Sequence, residues 1–97
     1  MFNSTISFQV LPKTKSQRKD FKIIDQVIDM VRTSGVSFEV GPMETTMEGD
    51  LDILLRVIRK AQDICIKAGA ENVFTNVKII YNPKGVATIR EKTGKYR

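Results

Sequence analysis

The chain predicts an α+β domain in the order βαββαβ, a four-stranded antiparallel sheet with two helices on one face. Three observations carry this. Four stretches alternate apolar with polar residues, two longer stretches repeat apolar residues at helical spacing, and clusters of Gly, Pro, Asn and Asp separate them. Right-handed crossovers turn that order into a plait with strands one and three in the centre, the ferredoxin-like arrangement.

The first strand is Thr5 to Leu11, where Ile6, Phe8 and Val10 alternate with Ser7 and Gln9. Pro12 is expected to end it, and the basic segment PKTKSQRK then leads to Asp20 as the expected N-cap of the first helix. In that helix Phe21, Ile24, Ile28 and Val31 form one stripe, widened by Val27, with Arg32 in the last turn and Gly35 beyond it.

Strands two and three lie in VSFEVGPMETTMEGD, Val36 to Asp50. The runs Val36-Phe38-Val40 and Met43-Thr45-Met47 meet at Gly41-Pro42, which can continue neither strand and so marks a tight hairpin. Asp50 is the expected N-cap of the second helix, with Asp52 in its first turn. From Leu51 to about Ala68, Leu51, Leu54, Leu55, Ile58, Ala61 and Cys65 are expected to face the core, and Gly69 closes the helix. The fourth strand is Asn72 to Ile80, followed by the turn Asn82-Pro83-Lys84-Gly85 and a partly ordered tail.

Ninety-seven residues with 41% apolar and 28% charged content suit one domain spanning 1–97. No apolar run approaches the roughly 18 residues a membrane helix needs, and MFNSTISFQV lacks the pattern of an export signal, so a cytoplasmic protein is expected. Cys65 is the single cysteine and there is no histidine, which leaves neither a zinc cage nor a Cys/His nucleophile to assemble. The net charge of +5 is carried by the ends. Residues 1–22 and 84–97 each hold five basic side chains and one acidic, whereas residues 23–83 hold six basic and nine acidic. Basic side chains placed in a loop and a tail, not on a sheet face, argue against a nucleic-acid surface.

Alternation sends Ile6, Phe8, Val10, Phe38, Val40, Met47, Val73 and Val77 to the helix side. The open side receives Ser7, Gln9, Glu39, Glu44, Thr46, Glu48, Phe74, Asn76 and Lys78. RNA-recognition plaits stack bases on aromatic residues of the central strands, but the third strand here reads METTMEG, with two carboxylates and no ring. Phosphate loops fail for want of a glycine-rich turn after the first strand. The acidic open face is either a solvated or subunit-contact surface, or a polar pocket for a small cation or an aminated heterocycle. In the second case the carboxylates of Glu39 and Glu48 accept hydrogen bonds, Thr45, Thr46, Gln9 and Asn76 match donors or acceptors, and Phe74 or Phe38 covers a ring. No nucleophile or base has an activating partner, so an enzyme is not expected.

The stretch VSFEVGPMETTMEGD, the later AGAENVFTNVKI and the ending TIREKTGKYR resemble the small thiamine-binding protein family over nearly the whole chain. Its E-V-G-P-x-x-T-T-x-E-G pattern is matched by Glu39, Val40, Gly41, Pro42, Thr45, Thr46, Glu48 and Gly49. The resemblance implies a ferredoxin-like fold that binds thiamine or its hydroxymethylpyrimidine moiety without chemistry and without another cofactor. It also implies assembly as a homotetramer, a dimer of dimers, with residues 86–97 as an oligomerisation tail packed on a neighbour. Such a face prefers a cation, so thiamine diphosphate is expected to bind less well than thiamine.

Overall fold

A computed structural model describes residues 1–97. It contains β1 (Ser4–Lys13), α1 (Gln17–Thr33), β2 (Ser37–Val40), β3 (Thr45–Gly49), α2 (Leu51–Lys67), β4 (Asn72–Tyr81) and the short α3 (Ile89–Thr93), which runs into a 3-10 turn, Gly94–Tyr96. The sheet has the order β2-β3-β1-β4 and is antiparallel throughout, so β1 and β3 are central, as the βαββαβ order with right-handed crossovers predicts.

The core forms where the pleat of the central strands meets the two long helices. Ile6, Phe8 and Val10 of β1 and Met47 of β3 pack against Ile23, Val27, Met30 and Val31 of α1 and Leu54, Val57, Ile58, Ala61 and Cys65 of α2. Asp50 caps α2 as predicted, its side chain accepting the Ile53 N–H, and Gly35 and Gly69, at φ +86° and +106°, let the chain leave the two helices.

Four expectations need correction. Helix α1 starts at Gln17, capped by Ser16, because Asp20 is engaged elsewhere: it accepts the N–H of Thr14 at 2.9 Å and also its hydroxyl. Pro12 does not end β1. Beyond Phe8 that strand has β4 on one side only, and a proline is tolerated where no ladder partner asks for its N–H. The buried stripe of α1 is Ile23, Val27, Met30 and Val31, with Phe21 exposed and Ile24 and Ile28 half-buried, because β3 stops at Thr45 and leaves no sheet beneath that flank. In α2, Val57 takes the core position expected of Leu55, which is exposed. On the sheet, Val40 and Val77 do lie on the helix side, yet both stay exposed: the first borders an opening and the second sits on the edge strand β4.

The C-terminal segment is ordered against this same chain. After β4, the N–H of Asn82 reaches the Asn3 carbonyl at 2.9 Å and that of Val86 reaches Phe2 at 3.0 Å, which turns the chain back beside its own N-terminus. Thr88 and Glu91 form a reciprocal capping box at the start of α3. From there the tail crosses the open face of β2 and β3.

Candidate functional site

Six of the seven predicted site residues share the open face. Register sets Thr46 between Ser7 and Glu39, Glu48 between Thr5 and Ser37, and Gln9 beside Asn76. Phe74 is exposed opposite Leu11. Two of the carboxylates are already employed by the chain itself. Glu48, only 7% exposed, accepts the Ser37 hydroxyl and the backbone N–H of Ile89, each at 2.7 Å, and Glu39 forms an ion pair with Arg97. The acidic strip under α3 therefore acts as the seat of the tail.

Thr45 is the seventh, and the pleat turns it to the other side. Buried there, it lines a cleft of 330 Å³ between α1 and the β2–β3 hairpin. That is near the lower end of the range for small-molecule pockets, about 300–1,000 Å³, and suits one or two rings better than a dinucleotide. One wall is Phe21, Ile24, Val27 and Ile28 of α1, the flank that has no strand beneath it. The second is Val40 to Thr45, and the floor is β1 from Phe8 to Leu11. Motif residues Val40, Gly41, Pro42 and Thr45 thus build one side of the cleft. Gly41 is needed for the tightness of the turn: its N–H binds the Glu44 carbonyl at 2.9 Å, and a Cβ there would lie 2.9 Å from that same oxygen. A wider hollow of 640 Å³ beside Met1, Phe2 and Lys84 to Thr88 includes no residue of the motif.

The cleft opens toward the polar face through the gap left where β3 ends. At this mouth Asn76 donates to Gln9 at 3.3 Å, and Lys78 donates to Glu44 at 2.8 Å. Gln9 and Glu44 also belong to the cleft wall, and Glu44 is the one charged residue lining it. The Lys78 ammonium holds the Glu44 carboxyl below its ordinary value, so it is ionised at neutral pH. Apolar walls with two phenyl rings, a threonine hydroxyl and one carboxylate at the mouth are suited to a ring bearing hydrogen-bonding groups and positive charge.

No group of three or more His, Cys, Asp or Glu side chains converges in a way that could hold a metal ion, and burial pushes the Cys65 thiol up, away from the reactive thiolate. No helix is long and apolar enough to cross a membrane. The pattern of apolar residues in α1 pointed to Phe21, Ile24 and Ile28 as core, and their real place on the cleft could be found only by knowing where β3 stops.

Comparison with known proteins converges on one family. Residues 6–97 match the model of the thiamine-binding protein family. A UPF0045 protein of Clostridium perfringens is 48% identical over 97 residues, spanning 100% of both chains. A structure of a Bacillus cereus domain of unknown function, DUF77, superposes with a TM-score of 0.90 at 48% identity, over 100% of this chain and 93% of that one. A Thermotoga maritima protein, whose name proposes a role in thiamine biosynthesis or salvage, superposes with a TM-score of 0.85 at 28% identity, over 98% of this chain and 99% of that one. By its sequence match and its fold alike, the chain belongs to the thiamine-binding protein family.

Proposed function

We propose that this protein binds thiamine or its hydroxymethylpyrimidine moiety, without chemical conversion, in the cleft between α1 and the β2–β3 hairpin. The observation that carries the reading is the position of the family motif: Val40, Gly41, Pro42 and Thr45 form a wall of the 330 Å³ cleft. The aminopyrimidine enters between the phenyl rings of Phe8 and Phe21, and the Thr45 hydroxyl meets one of its polar atoms. The thiazolium lies toward the mouth, where Glu44 supplies the complementary charge and Gln9 and Asn76 supply amides. Phe74 and Thr46 border this mouth on the open face, while Glu39 and Glu48 hold the tail and stand apart from the ligand. Phosphorylated thiamine brings negative charge to the same carboxylate and binds less well.

The protein acts in the cytoplasm as a homotetramer, a dimer of dimers. Its exposed edge strand β4 supports this, with Phe74, Val77, Ile79, Ile80 and Tyr81 all exposed. Isothermal titration with thiamine, hydroxymethylpyrimidine and thiamine diphosphate tests the ligand assignment. A ligand at 100 times its dissociation constant adds about 2.7 kcal/mol of stability, which a thermal shift reads directly. Failure of both thiamine and hydroxymethylpyrimidine to bind would remove this reading.

A further inference from the structure

The floor of the cleft holds a backbone edge without a partner. In an antiparallel ladder, successive residues aim their N–H and C=O groups to opposite sides. The Lys13 carbonyl accepts the Glu71 N–H at 2.8 Å, on the β4 side, so Leu11 and Gln9 point that way while Val10 and Pro12 point toward β3. But the β1–β3 pairing ends at Phe8 and Thr45. Continued in register, Val10 would face Met43, and the Gly41–Glu44 turn instead carries Met43 into solvent, 72% exposed. Val10 therefore turns a backbone donor and acceptor into the cleft it lines, although its side chain is buried in the core. Pro12 has no N–H, so Val10 provides the donor of this free edge.

We infer that the main chain of Val10 is what recognises the pyrimidine, its N–H donating to a ring nitrogen and its C=O accepting from the adjacent amino group. This rests on the thiamine reading above and assigns to it a recognition element made of backbone. An extended residue presents N–H and C=O side by side, and in a ladder it exchanges both with one partner residue. A ring nitrogen next to an amino group offers the matching acceptor and donor on one edge. Selectivity follows from rigidity. The amide of Gln9 can turn to present either its oxygen or its nitrogen, whereas the polarity of a strand is fixed by the fold. The site thus selects amino-substituted heterocycles over their oxo counterparts, in which a ring N–H and a carbonyl reverse the pattern and set donor against donor and acceptor against acceptor.

The test uses the full-length protein, isotopically labelled, with thiamine, hydroxymethylpyrimidine and the 4-oxo analogue of thiamine as probes. Saturation with either amino compound is expected to slow hydrogen exchange of the Val10 amide at least about tenfold relative to the Phe8 amide, which is already paired. The oxo analogue is expected to bind at least about 100-fold more weakly, since it leaves buried polar groups opposed. The variant Gln9→Ala is expected to keep that discrimination. Thiamine binding with no change at the Val10 amide, equal affinity for the oxo analogue, or loss of discrimination in Gln9→Ala would each overturn the assignment to Val10 while leaving thiamine binding intact. No binding of any amino probe would overturn both readings together.

Discussion

The carboxylate of Glu48 accepts the backbone N–H of Ile89 at 2.7 Å, joining the middle of the sheet to the first turn of α3, forty-one residues later. Its second oxygen takes the Ser37 hydroxyl. A carboxylate that is 7% exposed and satisfied at both oxygens by its own chain is a structural group. Replacing Glu48 by Ala strands the Ile89 N–H and the Ser37 hydroxyl, and the expected loss is about 1–3 kcal/mol in chemical denaturation. Amides of residues 89–96 are expected to exchange faster in the same variant, with thiamine affinity unchanged. A large loss of affinity at unchanged stability would instead make Glu48 a ligand contact.

Thr45 gives the converse expectation. It is buried against the cleft, and Val has nearly its shape without its hydroxyl. Thr45→Val is therefore expected to leave the denaturation midpoint close to wild type and to weaken thiamine by about 0.5–1.5 kcal/mol, the net worth of one neutral hydrogen bond. Titration calorimetry separates the two quantities.

In the proposed binding mode the Glu44 carboxylate at the mouth faces the charged end of the ligand. Glu44→Gln keeps the shape and removes the only charge in the lining, so it is expected to weaken thiamine, leave hydroxymethylpyrimidine unchanged and narrow the preference for thiamine over its diphosphate. Competition among the three ligands reads this preference.

The pH response of the same group has a definite sign. Lys78 lowers the Glu44 pKa in the folded chain from 4.5, so the pair's contribution to stability is fully present above that value and is lost as pH falls through the lower, folded one. The pair is solvent-exposed, and its share of the total stability is correspondingly small. In Lys78→Met the Glu44 carboxyl is expected to titrate higher, back toward 4.5, in a carbon-detected NMR titration. An unmoved titration would show that Lys78 does not hold this carboxylate.

Much of the fold was legible because local and global signals agree. Alternation in Ile6-Phe8-Val10 and helical spacing in Leu54-Ile58-Ala61-Cys65 both point to the face that is buried. The N-cap of α1 was not legible, since Ser16 and Asp20 are both good caps and only the Thr14 contacts of Asp20 decide between them. The cleft was hidden for a related reason. Phe21, Ile24 and Ile28 form as regular a stripe as Ile23, Val27 and Met30, and nothing in α1 itself says which lies over sheet and which over a gap. Glu39 and Glu48 were recognisable as a shared acidic face, but their partners Arg97 and Ile89 lie dozens of residues away, with no periodicity to connect them.

The edge of β4 bears on assembly. The strand is ten residues long and pairs only with β1; its helix side exposes Val77, Ile79 and Tyr81, and its open side carries Phe74 and Ile80 around the polar Asn76 and Lys78. A free edge of that length with that covering invites pairing with a second copy, antiparallel and about a two-fold axis, which would also cover the apolar side chains beside the edge. Ile79 belongs to the exposed apolar row that such a pairing would cover, so the charge brought by Ile79→Lys is expected to break this dimer; at 47% exposure the site has room for the lysine in an isolated chain. The tail contributes differently. Because residues 86–97 lie on their own sheet face in this chain, cutting after Pro83 removes the cover over Glu39 and Glu48 and alters the sheet's outer surface without touching the β4 edge. Light scattering is then expected to show wild type as a tetramer, the truncated protein as a dimer, and Ile79→Lys as a species smaller than wild type at micromolar concentration. A tetramer that survives Ile79→Lys would place the subunit contact elsewhere than β4, and a monomeric wild type would remove the tetramer altogether.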